Sequence, residues 1–447
     1  MEEDLYGENL KKIKLLIKEI YDQRKKSDSF IARKSKVHYS SPLFDEREVN
    51  AAIASLTAGN WLAEGKSTLE FEKLFSEFIG SKEAIVVNSG SSALLLIFAS
   101  LMVKDITNPL KEGDEVITGA LTFPTTLNSI ILNRLKPVFV DVELETYNMD
   151  PEQIEKAISE KTKAILVTHH LGNPCNMDKI MEISKKYNLY VIEDCCDAHG
   201  AMFGDKKVGS FGVMSAFSFY GAHAMTMGEG GAIVVNDSKF APILRSLKTC
   251  GRACTCAFCK VSIDPNFQCP QRFSSNIENF ENFDKRTLYP YIGYKFKILD
   301  LQCAFGIEQL KKISFFVEKR QENFDLLIKG LKKFERYLIL PKTLKEGRAS
   351  WFSVPLTLKP NCSFKREALV NYLEKNNIET RPLLGGNLAK QPAYRDTEFR
   401  SLKLDNTDYC HNNSFYVGCY PGINQEMINF MLSIFEEFFR SIENNQL

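Results

Sequence analysis

The sequence predicts an α/β protein with a largely parallel sheet covered by helices on both faces, followed by a smaller α+β domain. Short β-branched runs recur from 83 to 237, and helical patterns separate most of them, which is the alternation typical of parallel strands joined by helices. The runs are hydrophobic almost throughout, as expected for strands that are buried on both faces. The seven predicted strands are AIVVN, EVITGA, KPVFVDV, KAILVTHH, LYVIEDC, SAFSFY and GAIVVN.

Length and periodicity divide the chain into three predicted parts. Its 447 residues exceed the roughly 250 to 300 that one core serves, so we expect a helical extension over 1–45, a large domain over 46–300 and a small domain over 301–447. The segment 249–290 breaks the alternation with cysteines, asparagines and aromatics, and it predicts a functional excursion. Apolar periodicity predicts helices at 92–102, 151–161, 177–187, 300–334, 365–375 and 426–442 and strands at YLILP and WFSVPLTL.

Charge and hydropathy exclude several classes of protein. The net charge of +1 gives no one-sided basic field for nucleic acid or for an anionic membrane surface. No run approaches the roughly 20 apolar residues that cross a bilayer, and the charged N-terminus lacks the apolar core of a signal peptide. We therefore expect a cytoplasmic protein. In that compartment its 12 cysteines stay reduced, so metal ligation, catalysis or plain burial are their expected uses.

Two segments of the sequence could bind charged groups, the first an anion and the second a cation. The run NSGSSA (88–93) follows a predicted strand and opens a helix, where backbone N–H groups and serine hydroxyls favour a phosphate, although a capped helix without a ligand has the same pattern. Asp194 ends another strand at its carboxyl side, where ligands gather in open α/β sheets. Its carboxylate could hold a pyridinium or simply cap a helix.

The run SFYGAHAMTMGEGG (218–231) completes a recognisable set of motifs. Together they resemble the sugar aminotransferase and dehydrase family of fold-type I pyridoxal-phosphate enzymes, from Trp61 to beyond Tyr394. The resemblance implies that the large domain binds the cofactor within a seven-stranded, mostly parallel sheet. By the same resemblance Ser91, Ser92 and Ser218 bind its phosphate, Phe123 of TFPTT stacks on its ring, Asp194 pairs with its pyridine nitrogen, and Asp197 lies beside them.

His223 is the main departure from the aminotransferases that the chain resembles. Those enzymes have, at this position, the lysine that binds the cofactor covalently, and an imidazole cannot do so. An imidazole is a competent base near neutral pH. The resemblance therefore implies pyridoxamine phosphate, held without a covalent bond, and a dehydration in which His223 removes a proton. An isolated histidine would more simply be structural.

The cysteines follow a second pattern. Cys196 is followed by 57 residues and then by Cys254 and Cys256, an arrangement that resembles the iron-sulfur CDP-4-keto-6-deoxyglucose 3-dehydrases. In those enzymes a fourth cysteine precedes an Arg-Phe pair; Cys269 supplies it here after a longer gap, and Cys259 competes for the role. The resemblance implies a 2Fe-2S cluster. Four thiolates also suit zinc, and unligated buried cysteines are a further alternative.

The resemblance as a whole implies a dehydrase that uses pyridoxamine phosphate and a 2Fe-2S cluster. Its expected substrate is CDP-4-keto-6-deoxy-D-glucose, from which it removes the C3 hydroxyl on the route to the 3,6-dideoxyhexoses of lipopolysaccharide O-antigen. A flavin and iron-sulfur reductase that uses NAD(P)H is the expected electron donor. Lys295 stands where relatives have an asparagine that reaches the partner subunit's cofactor, which implies a homodimer.

Three alternatives to this function stay open. The first is a sugar 3-dehydratase that uses the histidine without a cluster, as in the GDP-4-keto-6-deoxymannose 3-dehydratases. The second is a sugar aminotransferase, and the third is an inactive scaffold with a structural zinc. The run HHLGNP (169–174) and the segment 381–392 resemble sugar-nucleotide contacts, although turns and caps have the same composition.

Overall fold

The computed structural model describes residues 2–27, 29–58, 62–262, 264 and 266–444; Trp61, where the family resemblance begins, lies outside them. The helices are α1 (Glu2–Ser27), α2 (Glu46–Thr57), α3 (Lys66–Ile79), α4 (Gly90–Leu101), α5 (Pro124–Ile131), α6 (Pro151–Ala157), α7 (Met177–Tyr187), α8 (Phe240–Lys248), α9 (Asp300–Lys311), α10 (Ile313–Leu331), α11 (Arg366–Lys375), α12 (Asp405–Asn413) and α13 (Gln425–Glu443). The strands are β1 (Glu83–Val87), β2 (Glu115–Gly119), β3 (Lys136–Val140), β4 (Thr162–Thr168), β5 (Tyr190–Asp194), β6 (Met202–Phe203), β7 (Lys206–Lys207), β8 (Met214–Ser218), β9 (Gly231–Val235), β10 (Leu338–Ile339), β11 (Gly347–Arg348), β12 (Ser353–Leu358), β13 (Thr380–Pro382), β14 (Arg400–Ser401) and β15 (Ser414–Gly418).

The large sheet contains all seven predicted strands. Within the described residues it has eight strands in the order β1-β9-β8-β5-β4-β2-β3-β14. The pairs from β8 to β14 are parallel, while β9 runs antiparallel to both β1 and β8. The mostly parallel α/β fold is therefore confirmed. The eighth strand, β14, comes from the C-terminal part of the chain, and two residues are too short for a hydrophobic pattern to predict.

Helices cover both faces of this sheet because successive strand residues point to opposite sides. In β1, Ile85 and Val87 pack with α4 and α8, whereas Ala84 and Val86 pack with α3 and α9. All four side chains are buried. Strands buried on both faces need apolar residues at every position, which is why the runs in the sequence do not alternate.

The C-terminal part has its own sheet and core. Its strand order is β10-β12-β15-β13 over the described residues, and α10, α11 and α13 pack against it. Trp351 stacks on Phe324 with ring centroids 4.3 Å apart. The single helix expected over 300–334 is instead two helices, α9 and α10, that meet at Lys312. Lys312 stabilises the junction between the two helices. Its ammonium lies 2.9 Å from Asp45 Oδ2 and also pairs with Glu48.

The segment 249–290 is irregular, as predicted. A short 3-10 turn at Lys260–Ser262 is its one helical element among the described residues. Its base is fixed by main-chain hydrogen bonds, since the N–H of Ala253 donates to the carbonyl of Leu288 at 2.8 Å and that of Cys250 donates to Tyr294 at 2.6 Å. In the part of the chain that the structure describes, no helix is long and apolar enough to span a membrane.

Candidate active site

A cavity of about 340 Å³ opens at the carboxyl ends of β5 and β8. Ligands bind at this edge of an open parallel sheet because the strand ends and the following loops converge there. The cavity brings together most of the residues expected to bind the cofactor. Its lining includes Ser89, Ser91, Phe123, Thr126, His169, Asp194, Cys196, Asp197, Ser218, Tyr220, His223 and Glu229, with Tyr39, Phe352, Leu384 and Tyr416 on the far wall.

The N-terminus of α4 forms the floor where a phosphate is expected. Ser89 caps the helix, since its hydroxyl accepts a hydrogen bond from the N–H of Ser92 at 3.0 Å. A Cβ on Gly90 would lie 2.6 Å from Ser218 Cβ and 2.9 Å from Cys196 Sγ, so only glycine allows this close approach. Ser91 lines the cavity, but Ser92 does not; its hydroxyl bonds to that of Ser89 instead. Ser89 therefore takes the place at the cavity wall that was expected of Ser92.

Asp194 is a buried carboxylate at the end of β5. It accepts hydrogen bonds from the Thr126 hydroxyl at 2.7 Å and from the Cys196 N–H at 3.2 Å. Burial raises the pKa of its carboxyl group, while these two donors oppose that rise. Among the described residues no cationic side chain pairs with Asp194, and an unpaired buried acid facing a cavity fits a pyridinium nitrogen.

Phe123 stands at the mouth of the same cavity. It precedes Pro124, the first residue of α5, and its extended backbone directs it away from the helix. The ring remains 52% exposed although most phenylalanines of the chain are buried. An aromatic face left open above a carboxylate fits a stacked heteroaromatic ring.

His223 lies in the turn after β8, opposite Asp197. Its Nδ1 is 3.2 Å from Asp197 Oδ1, and both side chains are 15% exposed. The two atoms are close but do not have hydrogen-bond geometry, because His223 Nδ1 has no hydrogen-bond partner among the described residues. Catalytic hydrogen bonds are often poorly aligned before ligands bind. The pair is therefore placed to align when the cavity fills.

The His223 turn is held by distant parts of the chain. The Ser40 hydroxyl donates to the carbonyl of Ala222 at 2.6 Å. The buried guanidinium of Arg320 donates to the carbonyl of Phe352 at 2.8 Å and to that of His223 at 3.4 Å. Sequence reasoning missed Arg320, because nothing in α10 shows which loop the helix will meet.

His169 belongs to a closed hydrogen-bond network. Its Nδ1 accepts from the N–H of Cys175 at 3.1 Å, so Nε2 carries the proton and donates to Glu193 at 3.1 Å. Glu193 also accepts from the N–H groups of Gly209 and Gly212. Although His169, Glu193 and Cys195 lie close enough to hold a metal ion, these hydrogen bonds already use the donor atoms of the first two. The group is structural.

The expected cluster ligands do not come together within one chain. Cys196 lines the cofactor cavity, whereas Cys254 and Cys256 line a second cavity of about 620 Å³ together with Cys259 and Lys295. The thiol of Cys269 interacts electrostatically with that of Cys256. No three of these sulfurs lie within 4.8 Å of one another in the described ranges. The four-cysteine site expected from spacing stays a prediction.

Lys295 is also absent from the cofactor cavity. The segment that carries it pairs with Thr249 at the base of the excursion, which turns Lys295 toward the second cavity. Arg381 of the small sheet pairs with Glu379 at 2.7 Å and lies over the Tyr39 ring. Of the segment 381–392, Leu384 lines the cofactor cavity.

The chain belongs to the DegT/DnrJ/EryC1/StrS aminotransferase family, whose model matches residues 43–435. It is 40% identical, over 92% of its length and 93% of the relative, to the lipopolysaccharide biosynthesis protein RfbH of Salmonella typhimurium. It is 38% identical to a dTDP-4-dehydro-2,6-dideoxy-D-glucose 3-dehydratase of Saccharopolyspora spinosa, over 94% of this chain and 90% of that one.

A solved structure supports the same fold. The Escherichia coli GDP-4-keto-6-deoxy-D-mannose 3-dehydratase with bound hydrated PLP superposes with a TM-score of 0.80 at 29% identity, covering 90% of this chain and 99% of that chain. The family resemblance and the fold class expected from the motifs are both confirmed.

Proposed function

We propose that this protein is a pyridoxamine-phosphate-dependent dehydrase that removes the C3 hydroxyl from a nucleotide-linked 4-keto-6-deoxyhexose. The observation that carries the proposal is His223, which lines the cofactor cavity beside Asp197 and faces the same space as the buried Asp194. Sugar 3-dehydratases among its relatives support this reaction class.

The residues of the cavity fit the cofactor. Asp194 would pair with the pyridine nitrogen, Phe123 would stack on the ring, and the N-terminus of α4 with Ser91 and Ser218 would hold the phosphate. When bound, the cofactor supplies an amine that condenses with the 4-keto group and a pyridinium that accepts electrons. The protein must then hold the sugar, exclude water and move protons.

His223 would move the proton. With Nδ1 directed at the Asp197 carboxylate, Nε2 is the nitrogen left to take a proton and to return one to the departing hydroxyl as it leaves as water. A carboxylate beside the imidazole stabilises the protonated ring that forms in this step. His223 is thus proposed as the catalytic base and acid, and Asp197 as its positioning residue.

The absence of a lysine separates this proposal from an aminotransferase. Among the described residues, no lysine lines the cofactor cavity, so the protein offers no amine for a covalent bond to the cofactor. A histidine at this position suits a cofactor that brings its own amine. It also suits a reaction whose sugar product contains no added nitrogen.

The remaining parts of the proposal concern the electrons and the nucleotide. We propose a 2Fe-2S cluster that passes two electrons, one at a time, from a flavin and iron-sulfur reductase using NAD(P)H, in a homodimer. Three thiols around one cavity support the cluster. The nucleotide is proposed as CDP, in the synthesis of lipopolysaccharide sugars; relatives act on dTDP- and GDP-linked sugars.

The experiment is an anaerobic turnover assay with protein reconstituted with pyridoxamine phosphate, iron and sulfide, and supplied with a flavin and iron-sulfur reductase and NADH as the source of the two electrons. CDP-, dTDP- and GDP-4-keto-6-deoxyhexoses are supplied in parallel, and products are followed by mass spectrometry. We expect loss of water from the CDP sugar, with no incorporation of nitrogen. An amino sugar formed when glutamate is added would instead establish an aminotransferase.

A further inference from the structure

Cys196 lines the cofactor cavity, whereas Cys254 and Cys256 line the second cavity, and Cys269 interacts with Cys256. We infer that the iron-sulfur cluster is held between two copies of this chain, with Cys196 from one copy and Cys254, Cys256 and Cys269 from the other. The inference rests on the proposed cluster and deepens it by naming the source of each ligand.

The first observation is that residues beside the two cavities are fixed to each other within one chain. The N–H of Asn88, next to Ser89 of the cofactor cavity, donates to the carbonyl of Phe296, next to Lys295 of the second cavity, at 3.1 Å. The buried ammonium of Lys248 donates to the carbonyl of Val86 at 3.1 Å and pairs with Glu64 at 2.7 Å. These contacts oppose a movement of the second cavity relative to the cofactor cavity within one chain, since breaking a buried ion pair is costly.

The second observation is a complementary imbalance of charge. Among the described residues, the cofactor cavity has three carboxylates on its wall, those of Asp194, Asp197 and Glu229, and neither a lysine nor an arginine. A phosphate bound there carries up to two negative charges, which the serines and the helix terminus only partly offset. Even with a pyridinium paired to Asp194, Asp197, Glu229 and the phosphate leave an excess of negative charge, which a cation from outside the cavity lining would offset.

The second cavity has the missing cations. Arg252 and Lys295 line it, and in the described part of the chain neither forms a salt bridge. Arg252 Nε is also buried without a hydrogen-bond partner. A buried N–H group without a hydrogen-bond partner is costly. If the second cavity of one copy faces the cofactor cavity of the other, Arg252 and Lys295 gain negatively charged partners. The cofactor cavity gains cations in the same contact.

The third observation is an exposed apolar surface on the excursion and just beyond it. Ile292 is 99% exposed and Phe273 is 54% exposed, and Phe280, Phe283 and Tyr289 are exposed with them. Exposed large apolar side chains concentrated in one segment of a chain are typical of an interface. At the mouth of the cofactor cavity Tyr220 and Phe123 are about half exposed in the same way. The exposed apolar side chains of the excursion and those at the mouth of the cofactor cavity can pack against each other in a symmetric dimer.

The spacing of the sulfurs also favours a two-iron cluster over zinc. A tetrahedral zinc needs all four sulfurs about 2.3 Å from one ion, so every pair of sulfurs is close. In a 2Fe-2S cluster each iron takes two thiolates, so the sulfurs need to approach only in pairs. No three of the expected ligands lie within 4.8 Å of one another in the part of the chain described. A second copy that brings Cys196 to the other three would provide the missing pair.

The test uses heterodimers made by coexpressing two variants with different affinity tags, Cys196→Ser and the double variant Cys254→Ser with Cys256→Ser. If the ligands come from two copies, one site of the doubly purified heterodimer has all four cysteines, because each copy supplies the ligands that the other has lost. The second site lacks Cys196, Cys254 and Cys256 together. If they come from one copy, both sites of the heterodimer are broken. Iron, acid-labile sulfide and the visible absorption spectrum are measured under anaerobic conditions. Cys362→Ser, at a half-buried cysteine in the turn after β12, is the matched control.

We expect each variant homodimer to lose its iron and the heterodimer to hold half of the wild-type iron and sulfide. A heterodimer without iron would overturn the inference, as would full iron in the Cys196→Ser homodimer, which would assign the fourth ligand to Cys259. A monomer by light scattering would overturn it as well. In any of these cases, retained binding of pyridoxamine phosphate and loss of water from the sugar would leave the proposed dehydrase reaction standing.

Discussion

Asp197 Oδ1 and His223 Nδ1 lie 3.2 Å apart, although the two residues follow different strands of the sheet. Asp197 lies just beyond β5, and His223 lies in the turn after β8, which is the neighbouring strand. The parallel pairing of these strands places their ends side by side. The sheet itself thus directs one nitrogen of the imidazole to a carboxylate and leaves the other for chemistry.

Replacing His223 with asparagine should abolish most dehydration, because asparagine cannot carry a proton in the reaction. We expect kcat to fall about 10²-fold to 10⁴-fold, the usual contribution of a general acid or base. Binding of pyridoxamine phosphate, measured by absorbance after gel filtration, should be retained. His411→Asn, a change outside the cavity, is the control. Turnover of His223→Asn at the wild-type rate would refute the assigned role.

Replacing Asp197 with asparagine should lower kcat and leave KM nearly unchanged. The amide removes the negative charge that stabilises the protonated ring, and it can offer an N–H to the nitrogen that should donate. Losses of about tenfold to a hundredfold are usual for a residue that orients a catalytic group. The control is Asp205→Asn, a change at an exposed carboxylate. A rise in KM without a fall in kcat would show that Asp197 binds substrate instead.

Replacing Asp194 with asparagine should weaken cofactor binding, since the amide cannot pair with a pyridinium. A hydrogen bond to a charged group contributes about 1.5 to 3 kcal/mol, so we expect the Kd of pyridoxamine phosphate to rise about tenfold to a hundredfold. Thr126→Val removes a neutral donor to Asp194 and should weaken binding about fivefold. Thr126→Ser keeps the hydroxyl and should bind normally. Equal Kd values for Thr126→Val and Thr126→Ser would show that this hydroxyl does not support Asp194.

The ion pair between Glu115 and Arg400 should make stability depend on pH. Arg400, with help from Ser159, lowers the pKa of Glu115 to about 2 from the usual 4.5, and the two nitrogen-oxygen distances are 2.7 Å. A lowered pKa in the folded state stabilises the protein fully above pH 4.5, and that contribution decreases as pH falls toward 2. We expect about 2 kcal/mol at neutral pH, less than the full shift implies because Arg400 is 41% exposed.

The measurement for this pair is the thermal unfolding midpoint of Arg400→Gln at pH 7 and at pH 4. The variant should be less stable than wild type at pH 7, and the difference should shrink at pH 4, where the unfolded chain binds a proton at Glu115. Arg395→Gln, also at an exposed arginine near this site, is the control. A difference that stays constant between the two pH values would mean that Arg400 acts by packing alone.

Much of the cofactor cavity could be predicted from the sequence. Asp194 was expected at this edge because it ends a strand of an open α/β sheet, where ligands gather, and Ser218 was expected in the same site from the family resemblance. Phe123 lies in the loop after β2, and Ser91 lies in the first turn of α4, which follows β1. In contrast, Tyr39, Phe352 and Tyr416 reach the cavity from the N-terminal segment and the small sheet, and their positions depend on packing that no local pattern encodes.

The cysteines show what their spacing in the sequence cannot predict. The pattern from Cys196 to Cys269 predicted four ligands for one site, but spacing carries no information about which chain provides each ligand. Cys196 is fixed by β5, and Cys254 is fixed by the base of the excursion. Ser92 stays a predicted phosphate ligand, but its hydroxyl bonds to that of Ser89, and the sequence pattern alone does not show which serine of NSGSSA faces the cavity.

The two-residue strand β14 has a consequence for any attempt to shorten this protein. It pairs with β3 at the outer edge of the large sheet, yet its residues follow three of the four strands of the small sheet in the chain. A fragment ended near residue 300 would therefore leave the main-chain groups of β3 open and Glu115 without its arginine. Unpaired strand edges of this kind invite aggregation, so we expect such a fragment to be recovered mainly as insoluble material.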